Sequence, residues 1–250
     1  MKRMCALLLL LFSMLLAVDS FAKEPDWSAY ASVLSKYVQP GVKNDIELMV
    51  IDYQGIKGDP LFQQVIDGIE AFSPRQLVDK NEKLAFYINI YNIYAIKMVV
   101  DHLPLKSIKD VGSFFSPVWK KNIGQIEGKA ISLDEIEHAI LRNMGEPRIH
   151  MAIVCASVSC PDLRNEPYTA ARLDEQLDDQ AIAFLNHSGK GVKVTGNDLY
   201  ISKIFDWFEK DFKADGGVKS FILKYRKDLH PSVRVNSYLT YDWNLNLNSN

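Results

Sequence analysis

The amino-acid sequence predicts an α+β fold, a single domain around a buried central helix with short strands and hairpins. Helix-like and strand-like segments interleave without regular βαβ units. Two short strand pairs flank turn residues, one about Gly128 and one about Gly196-Asn197. Residues 81–101, NEKLAFYINIYNIYAIKMVVD, place apolar or aromatic side chains on every side of a helical wheel, as a helix buried nearly all round does.

The elements follow in order. Lys2 and Arg3 precede an apolar run over residues 5–18, and Ser20-Phe21-Ala22 puts small residues at the first and third positions of a cleavage site. That is the order of a secretory signal peptide, and the run is too short for a comfortable membrane span. Cys5 sits deep in the run rather than at the cleavage point, so it is no lipid-attachment site. Residues 1–22 are therefore expected to be removed, leaving a periplasmic or secreted chain with no membrane span. The intact mass of the exported protein should place its start at Lys23. A membrane-pelleting species that keeps residues 1–22 would instead make the segment an anchor.

Residues 23–45 are expected to hold a first helix, with Trp27, Tyr30, Val33, Leu34 and Tyr37 at helical spacing; residues 46–250 form the main domain. A strand is expected over 46–53 and a helix over 60–72, and Ser73-Pro74 starts another. Asn89 and Asn92 lie in the middle of the buried helix. A buried amide without a partner costs about 1–3 kcal/mol, so both must bond to the chain or to a ligand. Phe114, Phe115 and Trp119 follow in a loop that offers aromatic surface to a partner.

Ser132 and Glu135 have capping-box spacing. The helix they open is expected to bury Leu133, Ile136 and Ile140, with Glu137 on the same stripe and Arg142, Arg148 or His150 as its partner. Residues 149–154 read as a strand that leads into a loop of small residues, 155–161. Further helices are expected over 169–187 and 203–212 and up to Tyr225, and an extended tail over 233–246.

Composition narrows the partners. A formal net charge of −2 and the lack of a basic run leave no footprint for nucleic acid. An unknown periplasmic partner, or a small or peptide ligand, fits better. The best chemical signal is the block holding Glu137, His138, His150, Cys155 and Cys160, since a thiol nucleophile needs a base and a group to orient it. On a strand, His150 and Cys155 would face opposite sides. In an oxidising compartment Cys155 and Cys160 most simply form a structural disulfide. No metal-ligand spacing, phosphate loop, GxSxG elbow or HExxH helix is present, so no metal or cofactor is implied. Two readings stand. One is a non-catalytic periplasmic binding or assembly module with a disulfide staple. The other is a cysteine-dependent hydrolase or acyltransferase acting on peptide or cell-wall amide bonds.

The blocks NEKLAFYINIYNIYAI, ISLDEIEHAILR, EPRIHMAIVCASVSCPDLR, ISKIFDWFEKDF and YDWNLN resemble, in that order, the domain-of-unknown-function 547 family over about residues 46–246. The resemblance implies a fold without a reaction. It also suggests a distant link to papain-like and transglutaminase-like folds, whose nucleophilic cysteine starts a buried helix. The buried helix here carries no cysteine.

Overall fold

The computed structural model describes residues 24–113 and 115–248. The expected signal peptide and Phe114 lie outside them. Helix α1 (Ser28–Tyr37) buries Tyr30, Val33, Leu34 and Tyr37 and runs into an antiparallel pair, β1 (Val38–Lys43) and β2 (Ile46–Ile51). Strand β1 was not expected, since Val38-Gln39-Pro40-Gly41 carries little strand signal of its own and is ordered by pairing with β2. After a short helix α2 (Tyr53–Gly58), Asp59 caps α3 (Pro60–Ala71) and Pro60 opens it. The helix expected from Ser73 is only a 3₁₀ turn, Pro74–Gln76.

Asp79 and Glu82 form the capping box that starts the central helix α4 (Lys80–His102). Its apolar residues are buried on all sides, as the sequence predicts. Both mid-helix amides are spent on backbone. Asn89 Nδ2 donates to the Tyr168 carbonyl (2.8 Å) and Oδ1 accepts from the Tyr168 N–H (2.9 Å). Asn92 Nδ2 donates to the Ala152 carbonyl (3.0 Å) and Oδ1 accepts from the Val154 N–H (2.8 Å). These residues tie loops to the helix.

A hairpin, β3 (Asn122–Ile126) and β4 (Lys129–Ser132), leads into the Ser132–Glu135 cap, and that box forms. The helix beyond it is wound as a π-helix over Glu135–Leu141. The wider winding moves the inward position on by one, so Leu141 is buried and Ile140 is not.

The strand expected over 149–154 is instead a single helical turn, α5 (Ile149–Ala152), followed by extended backbone. An apolar run this short does not distinguish the two, and here it packs against helix α6 (Leu173–Asn186). Strands β5 (Val192–Thr195) and β6 (Asp198–Ile201) form the expected second hairpin, and β7 (Arg234–Tyr238) adds to β6 in parallel. Between them lie α7 (Ile204–Trp207), a 3₁₀ stretch Glu209–Asp215 and α8 (Val218–Tyr225). Small sheets between helices make the fold α+β.

Among the described residues two larger hydrophobic clusters stand out, one around α4 and a smaller one around Phe205, Phe212 and Phe221, beside a minor third of Leu48, Val50 and Val158. Beyond β7 the tail clamps the loop of small residues: Val158 N–H donates to Asn244 O, Ser159 N–H to Asp242 O, and Asn246 N–H to Ala156 O. Asn89→Leu or Asn92→Leu should each destabilise the fold by about 1–3 kcal/mol, because each leaves a buried N–H and C=O unpaired. Denaturant unfolding checks this, and an unchanged midpoint in both variants would contradict it.

Candidate active site

A cavity of about 300 Å³ opens at the seam between the two larger clusters. Tyr91 on α4 and Ile153 line it from one side, Ile204 and Phe208 from the other. Glu137, His150, Cys155 and Cys160 all face it. The helical turn α5 removes the alternation that would have sent His150 and Cys155 to opposite sides.

Cys155 and Cys160 are free thiols. Their Sγ atoms lie 2.9 Å apart, beyond the roughly 2.05 Å of a disulfide bond. The expected structural disulfide is therefore not formed: the loop 155–160 brings the sulfurs into contact and leaves them unbonded. The residue after Cys155, Ala156, has a φ of +60°, a left-handed conformation that costs a non-glycine residue energy and collects at functional sites. Its carbonyl is held by the Asn246 N–H.

Neutral donors surround the Cys155 sulfur. Ser157 Oγ lies 3.1 Å away and the Tyr241 hydroxyl 3.2 Å away. Cys160 Sγ accepts from the Cys155 backbone N–H (2.9 Å), which leaves its own S–H to point at Cys155. Burial alone would push the Cys155 thiol up. Hydrogen bonds from Cys160, Ser157 and Tyr241 outweigh it and bring its pKa down to about 7. Cys160 moves the other way, well above the usual thiol range, through burial and the neighbouring Cys155 charge. Of the pair, Cys155 is the sulfur held toward the thiolate and Cys160 the one held protonated.

Glu137 is also set near neutrality. Burial raises its carboxyl to about 7, against a hydrogen bond from the Tyr91 hydroxyl (3.2 Å); the Cys155 charge adds to the rise. Of the partners expected for it, Arg142, Arg148 and His150, none bonds to it; Tyr91 does, because the π-helical winding turns Glu137 toward α4. Arg148 pairs instead with Glu146, Asp174 and Asp178.

His150 is buried and stacked on Phe208, ring centroids 4.1 Å apart. Its Nε2 donates to Asp211 Oδ2 at 2.8 Å, and Arg142 forks onto the same carboxylate at 2.6 and 2.8 Å. Burial lowers the pKa of His150 despite Asp211, so the ring is the neutral donor. No hydrogen bond joins His150 to Cys155 among the described residues. Asp211, not Glu137, is the group that orients the histidine.

Of the aromatic residues singled out in the sequence, Trp119 lines the cavity and Phe115 is exposed on the surface. Tyr91, Ser157, Asp211 and Tyr241 were missed as site residues. Asp211 and Tyr241 lie in the ISKIFDWFEKDF and YDWNLN blocks, far along the chain from the cysteines, and only the resemblance pointed there.

Residues 74–185 match the DUF547 family model. That model is described as a protein of unknown function, and its span runs from the 3₁₀ turn before α4 into α6. The DUF547 match holds Glu137, His150, Cys155 and Cys160, while Asp211 and Tyr241 come from beyond it. No curated protein and no solved structure matches the chain.

Proposed function

We propose that this chain is an exported cysteine-dependent hydrolase or acyltransferase that cleaves amide bonds of peptides or cell-wall material. The observation that carries the reading is the Cys155 thiol, set near pH 7 by neutral donors, in the same cavity as a carboxyl group set to the same range. Export rests on the basic, apolar and small-residue order of residues 1–22. A binding module stapled by a disulfide is the weaker reading, because the two sulfurs are free.

The chemistry follows from the two groups. The Cys155 thiolate attacks the acyl carbon and forms a thioester; the C–N bond breaks, and the leaving amine takes the proton of Glu137. Water or an acceptor amine or alcohol then attacks the thioester and gives its proton back to Glu137, and the thiolate leaves. Neutral His150, held by Asp211 and Phe208, walls the cavity beside this pair.

A nitrophenyl ester and a nitroanilide of the same acyl group test this. Nitrophenolate needs no proton to leave, so ester acylation should rise with pH through about 7 and then stay flat. The anilide needs both thiolate and protonated Glu137, so its rate should peak near pH 7 and fall on either side. Glu137→Gln should lower the anilide rate by roughly 10²–10⁴-fold and the ester rate far less. Cys155→Ala should abolish both. Turnover that survives Cys155→Ala would sink the proposal.

A further inference from the structure

The rest of the cavity wall is aromatic. Trp207 and Trp243 stack with centroids 5.6 Å apart, and Tyr241 lies 4.9 and 4.6 Å from them. Trp119 meets Trp243 at 6.3 Å. These rings come from three separate stretches, the loop before β3, helix α7 and the tail. The apolar residues at the start of α7, Ile204 and Phe205, are buried, but Trp207 keeps 43% of its surface exposed. An indole left open at the mouth of a cavity is contact surface for whatever enters.

The charge of the wall has one sign. Asp134 and Glu137 line it, and among the described residues no lysine or arginine does. Its two histidines add no positive charge. Arg142 can only donate, so the 2.8 Å contact to His138 Nδ1 makes that nitrogen an acceptor, with the ring proton on Nε2, 3.7 Å from Asp134. His150 is the neutral donor to Asp211. Arg142 is itself consumed by Asp211 and His138. The Cys155 charge, when present, is balanced only by neutral S–H and O–H groups.

Aromatic faces are negative, and a ring wall with a carboxylate beside it is the chemistry that holds an ammonium group. Trp243 already has the Lys109 ammonium 4.6 Å from its ring centroid. We infer that the substrate carries a cation, a primary or quaternary ammonium close to the scissile acyl carbon, seated against Trp207 and Trp243 and facing Asp134. The inference rests on Cys155 being the reacting group. The bound cation also supplies the counter-charge that the protein itself withholds from the thiolate.

Three alkylating probes of different charge test it on the full mature protein: iodoacetamide, iodoacetate, and an iodoacetamide bearing a trimethylammonium group. Each is attacked by the Cys155 thiolate, which forms a C–S bond and expels iodide; peptide mass mapping separates Cys155 from Cys160. Rates are normalised to those of free cysteine. The cationic probe should lead the neutral one by about tenfold or more, and iodoacetate should trail both. The preference should shrink with added salt, in Asp134→Asn and in Trp207→Ala. Trp207→Phe, a smaller change, should keep part of it. Equal normalised rates, or a lead for iodoacetate, with Cys155 reacting readily, would overturn the cation inference and leave the nucleophile in place. A Cys155 inert to all three probes would overturn both.

Discussion

The site depends on one buried side-chain amide. Asn92, in the middle of a helix buried nearly all round, bonds the passing backbone at both Ala152 and Val154. Breaking either bond strands a backbone group in the core, at a cost on the order of 1–3 kcal/mol. The chain is thereby pinned one residue before Cys155. Asn89 does the same for Tyr168, further along the segment that returns to α6. From the other side the tail residues Asp242, Asn244 and Asn246 grip the backbone of residues 156–159. Between these two clamps, Ala156 holds a left-handed conformation it would not adopt freely.

That fixed loop sets the electrostatics. A thiolate can be stabilised by a cation or by several neutral donors. Here the donors are Ser157 and Cys160 from the loop itself and Tyr241 from the tail that clamps it. The same tail brings Trp243 to the cavity wall. Glu137 arrives through the π-helical winding of Glu135–Leu141, which turns an acid onto the Tyr91 hydroxyl. Burial pushes the carboxyl up while hydrogen bonding pulls the thiol down, and the two meet near pH 7. A carboxyl set near the working pH can give up a proton in one step and take it back in the next.

The sequence displayed the fold through its periodicity. Helix α4, both expected hairpins, the Ser132–Glu135 cap and the closing extended tail are local patterns, and each stands where its residues place it. The errors lie where tertiary contact decides. Residues 149–154 are apolar enough for strand or helix, and packing on α6 chose a helical turn. Glu137 was legible as an inward acid, but its partner was not, because the π-winding that aims it at Tyr91 leaves no mark in the spacing. The cysteines were legible as a pair, but the 2.9 Å at which the loop sets their sulfurs was not. Asp211 and Tyr241 lie 61 and 86 residues from the groups they touch, beyond the reach of local pattern.

The proposed chemistry requires that neutral donors alone hold Cys155 as a thiolate near neutral pH. Ultraviolet absorbance of the thiolate, followed through a pH titration of the reduced protein, measures this directly. One thiolate should appear with a midpoint near 7 and vanish in Cys155→Ser. Tyr241→Phe, which removes one donor, should move that midpoint up by about one to two pH units. If no thiolate forms below the range of an ordinary cysteine, or if Tyr241→Phe leaves the midpoint where it was, Cys155 is not poised by these hydrogen bonds.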